Sequence, residues 1–275
     1  MEAKEMIVNR PLANTYGWLR VNGTKISAPE SVETAEYSLT EGEERTVVVE
    51  NTAQALYTTA RLAENATLRL VQLWRGGADE RLINDVNVCC GKNARFEYYR
   101  LILGGGETFD NCAVMLEGDG SSFTCEIGYR LGGDEKFDLN LSAIHTGRKT
   151  TSHINASGVL RDRAFKLFRG TIDLRRGCAG AVGDEVEDVL LMDETVRNQT
   201  VPVILCAEED VVGNHGATIG RVDESVVFYL QSRGMTREAI YEMMAQAKLN
   251  AVIKKIPEAK LRCDLLTDLR GEAKL

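Results

Sequence analysis

The sequence predicts an all-β core wound as a β-solenoid, followed by a helical C-terminal appendage, and three observations carry that expectation. Short alternating segments recur about every 14 residues between Ala66 and Leu174, punctuated by Gly, Asn and Asp. No helical pattern separates them, which argues against a βαβ architecture. The final stretch of the chain then changes to a helical period.

Taken in order, residues 1–41 read as an irregular N-terminal cap segment with Trp18 and several Thr- and Ser-rich turns. Residues 42–232 read as the β core. From Phe137 to Ala143 the odd positions are apolar and the even ones, Asp138, Asn140 and Ser142, are polar. Phe123, Cys125, Ile127 and Tyr129 alternate likewise, as do Val86, Val88 and Cys90, with further strands centred near Leu70, Tyr98, Val114, Ile154 and Leu167. Strict alternation puts one side-chain set on each face of a sheet, so each segment reads as a half-buried strand. The regular period and the lack of two-residue hairpin turns favour a solenoid; alternation alone leaves a sandwich open. Residues 233–275 read as helical. Thr236 can cap a helix that carries Ile240, Met243, Met244, Ala247 and Ala251 on one face. Pro257 interrupts, and a second helix carries Leu261, Leu265, Leu266 and Leu269.

A chain of 275 residues can bury a sizeable core unaided. Its net charge of -8 argues against a nucleic-acid partner, which would favour a basic face. No apolar run approaches the roughly 20 residues that cross a bilayer. The start, Met1 to Met6, lacks the layout of a signal peptide, so the expectation is a cytoplasmic protein. Seven cysteines without a CxxC pair, in that setting, favour reduced thiols.

Catalytic signatures are missing. There is no phosphate-cradling GxxxxGK[ST], no GxSxG elbow and no HExxH, and Gly104 to Gly106 reads as a turn. Parity puts Cys90, Cys112 and Cys125 on apolar faces, where they pack as small hydrophobes. Cys89 has the opposite parity, so it and Cys90 do not chelate together. Cys178 and Cys206 fall outside clean alternation. His153 shares parity with Thr151 and Asn155 and reads as polar-facing, while His145 ends a strand. His215 differs, because Gly213, Asn214, Gly216 and Ala217 leave its imidazole uncrowded. With Cys206 and the run Glu208-Glu209-Asp210 upstream, it is a candidate ligand for iron or zinc, set against the commoner polar turn histidine.

The stretch from Pro202 through Asn214-His215-Gly216-Ala217-Thr218-Ile219-Gly220-Arg221-Val222-Asp223-Glu224, continuing as Phe228-Tyr229-Leu230-Gln231-Ser232-Arg233-Gly234, resembles the C-terminal signature of the SufB/SufD family. His145 to Ser152, Gly158 to Asp162, Phe168 to Ile172 and the segment Arg10 to Asn22 resemble other parts of it. The second half is covered well and the first half loosely.

The resemblance implies a right-handed parallel β-helix acting as a non-enzymatic scaffold for a transient iron–sulfur cluster. It implies C-terminal helices docking a SufC-type ABC ATPase, through Tyr229, Arg233, Ile240, Met243, Met244 and Ala247. It also implies pairing through the β-helix core, as a homodimer or with a SufB-like paralogue. His215 stands where SufD contributes a histidine, and Gly216 after it follows the SufD pattern, where SufB has glutamate. The functional cysteine of SufB would fall near Glu187, ahead of Leu190-Leu191, and no cysteine stands there. The expected metal set is therefore His215 with Glu187 and Cys206. The rivals are an adaptor for the ATPase that binds no metal, and a β-helix carbohydrate-active enzyme. The latter lacks an evident acid/base pair along one sheet face.

Overall fold

The computed structural model describes residues 5–272, of which the last three are described by their backbone alone. Its body is a parallel β-solenoid with three C-terminal helices, as the alternation predicts. Fourteen strands run from β3 (Val32–Leu39) to β16 (Val211–Gly220) and divide into two seven-stranded parallel sheets. One sheet holds the even strands β4 to β16 and the other the odd strands β3 to β15. Each strand passes through a short turn into the opposite sheet, so its hydrogen-bonded neighbour is two strands on. Ser122 of β10 (Ser122–Leu131) thus pairs with Thr151 of β12 (Thr151–Leu160). The period of about 14 residues in the sequence is half a turn of this solenoid.

Side chains of one parity fill the space between the sheets. Phe96 stacks on Phe123 with centroids 5.6 Å apart, and Tyr129 meets Phe137 edge-on at 5.4 Å. Tyr129 lies across Gly158, where a Cβ would sit 2.0 Å from its ring. Cys90, Cys112 and Cys125 pack in the same core, and burial pushes all three thiols up, away from the nucleophilic thiolate. Cys89 points the other way and is partly exposed. The interior also holds one bidentate ion pair, Arg100 donating to Asp110 at 2.8 and 3.1 Å and to Asn51 at 2.6 Å.

Two segments cover the outer faces. At the N-terminus β1 (Glu5–Val8) pairs antiparallel with β2 (Thr24–Ser27), and Val8 and Ile26 pack on Ala55, Ile83 and Phe109 of the odd sheet. Beneath this segment Asp138 accepts from Arg169, Thr24 and Asn9, and Asn140 donates to the Arg10 carbonyl. Asp138, Asn140 and Ser142 do face outward as their parity predicts, yet all three are buried, Asp138 and Asn140 beneath the N-terminal residues that lie along the flank of the solenoid.

At the other end α1 (Glu224–Ser232), α2 (Arg237–Ile253) and α3 (Ala259–Glu272) follow β16. Thr236 caps α2 by accepting from the Ala239 N–H. Leu249, Val252 and Ile253 of α2, with Leu265 and Leu269 of α3, pack on Val71, Leu73, Tyr99 and Leu101 of the even sheet. The buried face of α2 is thus Ile240, Tyr241, Ala245, Leu249, Val252 and Ile253, rotated from the expected stripe. Met243, Ala247 and Ala251 of that stripe face solvent. The expected segment boundaries shift correspondingly. β3 begins at Val32 inside the stretch read as a cap, because its alternation pairs it with β5 (Ala55–Leu62), and α1 begins before residue 233. None of the described helices is long and apolar enough to cross a membrane.

Candidate functional site at the open end of the solenoid

Among the described residues no strand follows β16 to cover the last turn. β15 (Arg197–Cys206) and β16 are the edges of their sheets, and their inward-facing positions line an open end. Register fixes which residues meet there. β14 (Ala181–Leu191) sends Glu185 and Glu187 inward, and β16 places His215 beside Glu185 and Ala217 beside Glu187. On the facing sheet β13 (Phe165–Leu174) sends Lys166 inward, with Asn198 of β15 beside it and Thr200 two positions on.

These groups form a buried ionic cluster. The Lys166 ammonium donates to Glu187 Oε1 and, at 3.3 Å, to the Thr200 hydroxyl, which itself donates to Glu187 Oε2 at 2.7 Å. Lys166 is fully buried, and Glu187 and Glu185 are 1% and 3% exposed. The Glu185 carboxylate lies over Gly170, where any Cβ would come within 2.0 Å of its oxygen. Burial pushes Lys166 down to about 7 and Glu185 up to about 7, each opposed by the charge of the other. A cluster of this kind costs desolvation energy that an apolar core would not, which points to a use beyond stability.

His215 itself is exposed, and it makes no hydrogen bond or ion pair among the described residues. From strand spacing and rise its Cα lies about 8 Å from that of Glu187. Cys206 stands apart. It ends β15 in register with Leu174, six residues beyond Thr200 and so about 20 Å along the strand. Its thiol donates to the Glu208 carbonyl at 3.1 Å. The fold therefore brings His215 and Glu187 to one end of the solenoid and leaves Cys206 away from them. Among the described residues no group of three His, Cys, Asp or Glu side chains is placed to hold a metal.

The expected partner-binding residues divide in the same way. Tyr229 is exposed with the Arg233 guanidinium 5.3 Å from its ring centre, and its neighbour Phe228 is 73% exposed. Met243 and Ala247 are also exposed. Met244 packs partly against Val159, Leu190 and Ala245, and Ile240 is fully buried.

Lys166, Glu185 and Thr200 are the members of the cluster that sequence reasoning missed. Parity could have found the first two. Lys166 shares the inward parity of Phe168 and Ile172, and Glu185 that of Ala181 and Val189, so each is a charge set in an apolar row.

A two-sheet parallel solenoid with an ionisable open end and exposed aromatics on the following helix is the class these features define. Residues 28–248 match the family model described as SUF system FeS cluster assembly, SufBD core domain. The chain belongs to the SufB/SufD family. It is 25% identical over 192 residues to the iron-sulfur cluster assembly protein SufD of Bacillus subtilis (strain 168), covering 70% of this chain and 44% of that protein. It is 27% identical over 169 residues to SufB of the same organism, covering 61% of this chain and 36% of the relative. A SufBD family iron-sulfur cluster assembly protein of Mycobacterium tuberculosis (strain ATCC 25618 / H37Rv) is 30% identical over 142 residues, 51% of this chain and 17% of its own length. The chain thus spans less than half the length of these relatives.

Proposed function

We propose that the chain is a non-enzymatic scaffold subunit of a SUF-type iron–sulfur cluster assembly complex, working in the cytoplasm with a SufC-type ABC ATPase. The observation that carries this reading is the SufBD core match, which runs through strand β16 bearing His215 and into α2. The cluster is cargo, held transiently, and not a resident cofactor. His215 is the exposed ligand at the open end and Glu187 stands where SufB has its thiol, while Cys206 is too far along β15 to join them as folded.

An incomplete ligand set on one chain is met by a second subunit, either another copy or a SufB-like paralogue that brings a thiol. The edges β15 and β16 offer unpaired backbone groups for such pairing. Val186 and Val212, each 48% exposed, flank that edge. On α1 and α2, Tyr229, Arg233, Met243 and Ala247 form the surface for the ATPase. Ile240 and Met244 support that surface from beneath.

The adaptor reading, in which the ATPase binds but no metal does, is favoured by one observation: Lys166 already engages Glu187. One experiment separates the two. The chain is co-expressed with a SufC-type ATPase, purified anaerobically with a sulfur source, and assayed for mass, iron and sulfide. A complex carrying iron and sulfide supports the scaffold. A complex without them supports the adaptor, and no complex at all overturns both.

A further inference from the structure

Lys166 is the one fully buried lysine among the described residues, and it sits among carboxylate and hydroxyl oxygens of a kind that can bind a metal. Its ammonium holds Glu187 and the Thr200 hydroxyl, while Glu185 approaches it from the same strand as Glu187. Asn198, the register partner of Lys166 on β15, carries a buried side-chain oxygen with no hydrogen-bond donor. Oxygen ligands, a buried positive charge and an open end beside His215 describe a cation site whose cation is the protein's own.

We propose that Lys166 is the resident counter-ion of this end, and that a divalent cation reaches Glu187 and Glu185 only when the lysine is displaced. This rests on the proposed reading of the open end as a metal-handling site and adds its control. With Lys166 seated, both oxygens of Glu187 are taken, one by the lysine and one by the Thr200 hydroxyl. With the lysine removed, Glu187 loses its bonded counter-charge beside Glu185, and a divalent cation with mixed oxygen and imidazole preference can replace it in competition with protons. The lysine thus keeps a lone subunit closed to metal.

The test uses the full chain without ATPase or sulfur source, and Co2+ as the probe, read by equilibrium dialysis and visible absorption. K166M and K166Q, each checked for folding by circular dichroism, are expected to bind one Co2+ at least tenfold more tightly than the wild type. K166R, which keeps a cation in place, is expected to match the wild type. Adding E187Q to K166M is expected to remove the gain. Folded K166M and K166Q that bind no better than the wild type would overturn the proposal, as would a gain that survives E187Q. If neither variant folds even in saturating Co2+, the proposal also fails, because the metal then does not replace the lysine. A positive Co2+ result beside a failed cluster reconstitution sinks the scaffold reading and leaves the lysine's role standing.

Discussion

Asp110→Asn removes the counter-charge of the buried Arg100 guanidinium while keeping the shape of the side chain. Arg100 has no exposure, and three of its donors go to Asp110 and Asn51. Breaking a buried pair from one side costs about 3–5 kcal/mol, because the remaining charge is stranded in low dielectric. An unfolding entropy of about 2.1 cal/mol/K per residue gives about 0.6 kcal/mol/K for the chain, so the melting temperature should fall by about 5–9 °C. Replacing both partners, as Arg100→Met with Asp110→Leu, removes the two charges together and should recover most of that loss. Circular dichroism melts of wild type, D110L, R100M and the R100M/D110L double variant supply the cycle, with D110N measured beside them. D110N melting within about 1 °C of wild type, or a double variant losing the full sum of the singles, would refute the charged, buried pairing.

His145 is fully buried, with its ring nitrogens 2.8 and 2.9 Å from the Thr150 and Ser152 hydroxyls, and burial pushes it down from 6.5 to about 4. The unfolded chain takes up this proton near pH 6.5 and the folded chain only near 4. Stability is therefore fully present above about pH 6.5 and falls by up to about 3 kcal/mol as pH drops through that window. Urea unfolding at pH 7 and pH 5 should show the loss, reduced in H145N. On α2, Leu249→Ala should cost about 2–5 kcal/mol, since Leu249 is 1% exposed against the even sheet. Met243→Ala, on the exposed side, should leave stability within about 0.5 kcal/mol and weaken capture of the ATPase in a pull-down.

Much of the fold was legible in the sequence because a solenoid repeats one local rule. Alternation in Phe123, Cys125, Ile127 and Tyr129 set their faces, and the same parity placed Cys90, Cys112 and Cys125 inside and His153 outside. What alternation does not record is which outer face acquires a cover. Asp138 and Asn140 look solvated by parity, and only the N-terminal segment folding back over a hundred residues buries them. The docking side of α2 is hidden from its own sequence for a related reason. Its apolar residues surround much of the helix, and the side that docks is chosen by Tyr99 and Leu101 of a distant sheet. At the open end the family motif located His215 and the position of Glu187. The partner of Glu187, Lys166, lies in the opposite sheet, 21 residues away in sequence. Motif reading within one strand could not pair them.

The central claim is that the open end of the solenoid handles iron and sulfide through His215. Its most direct measurement is iron and sulfide per chain in the anaerobically purified complex with the ATPase, for wild type and His215→Ala. Because His215 is exposed and has no bonded partner among the described residues, the variant should fold and bind the ATPase like the wild type. The account predicts that its iron and sulfide fall several-fold. Equal iron and sulfide in the two complexes would contradict it.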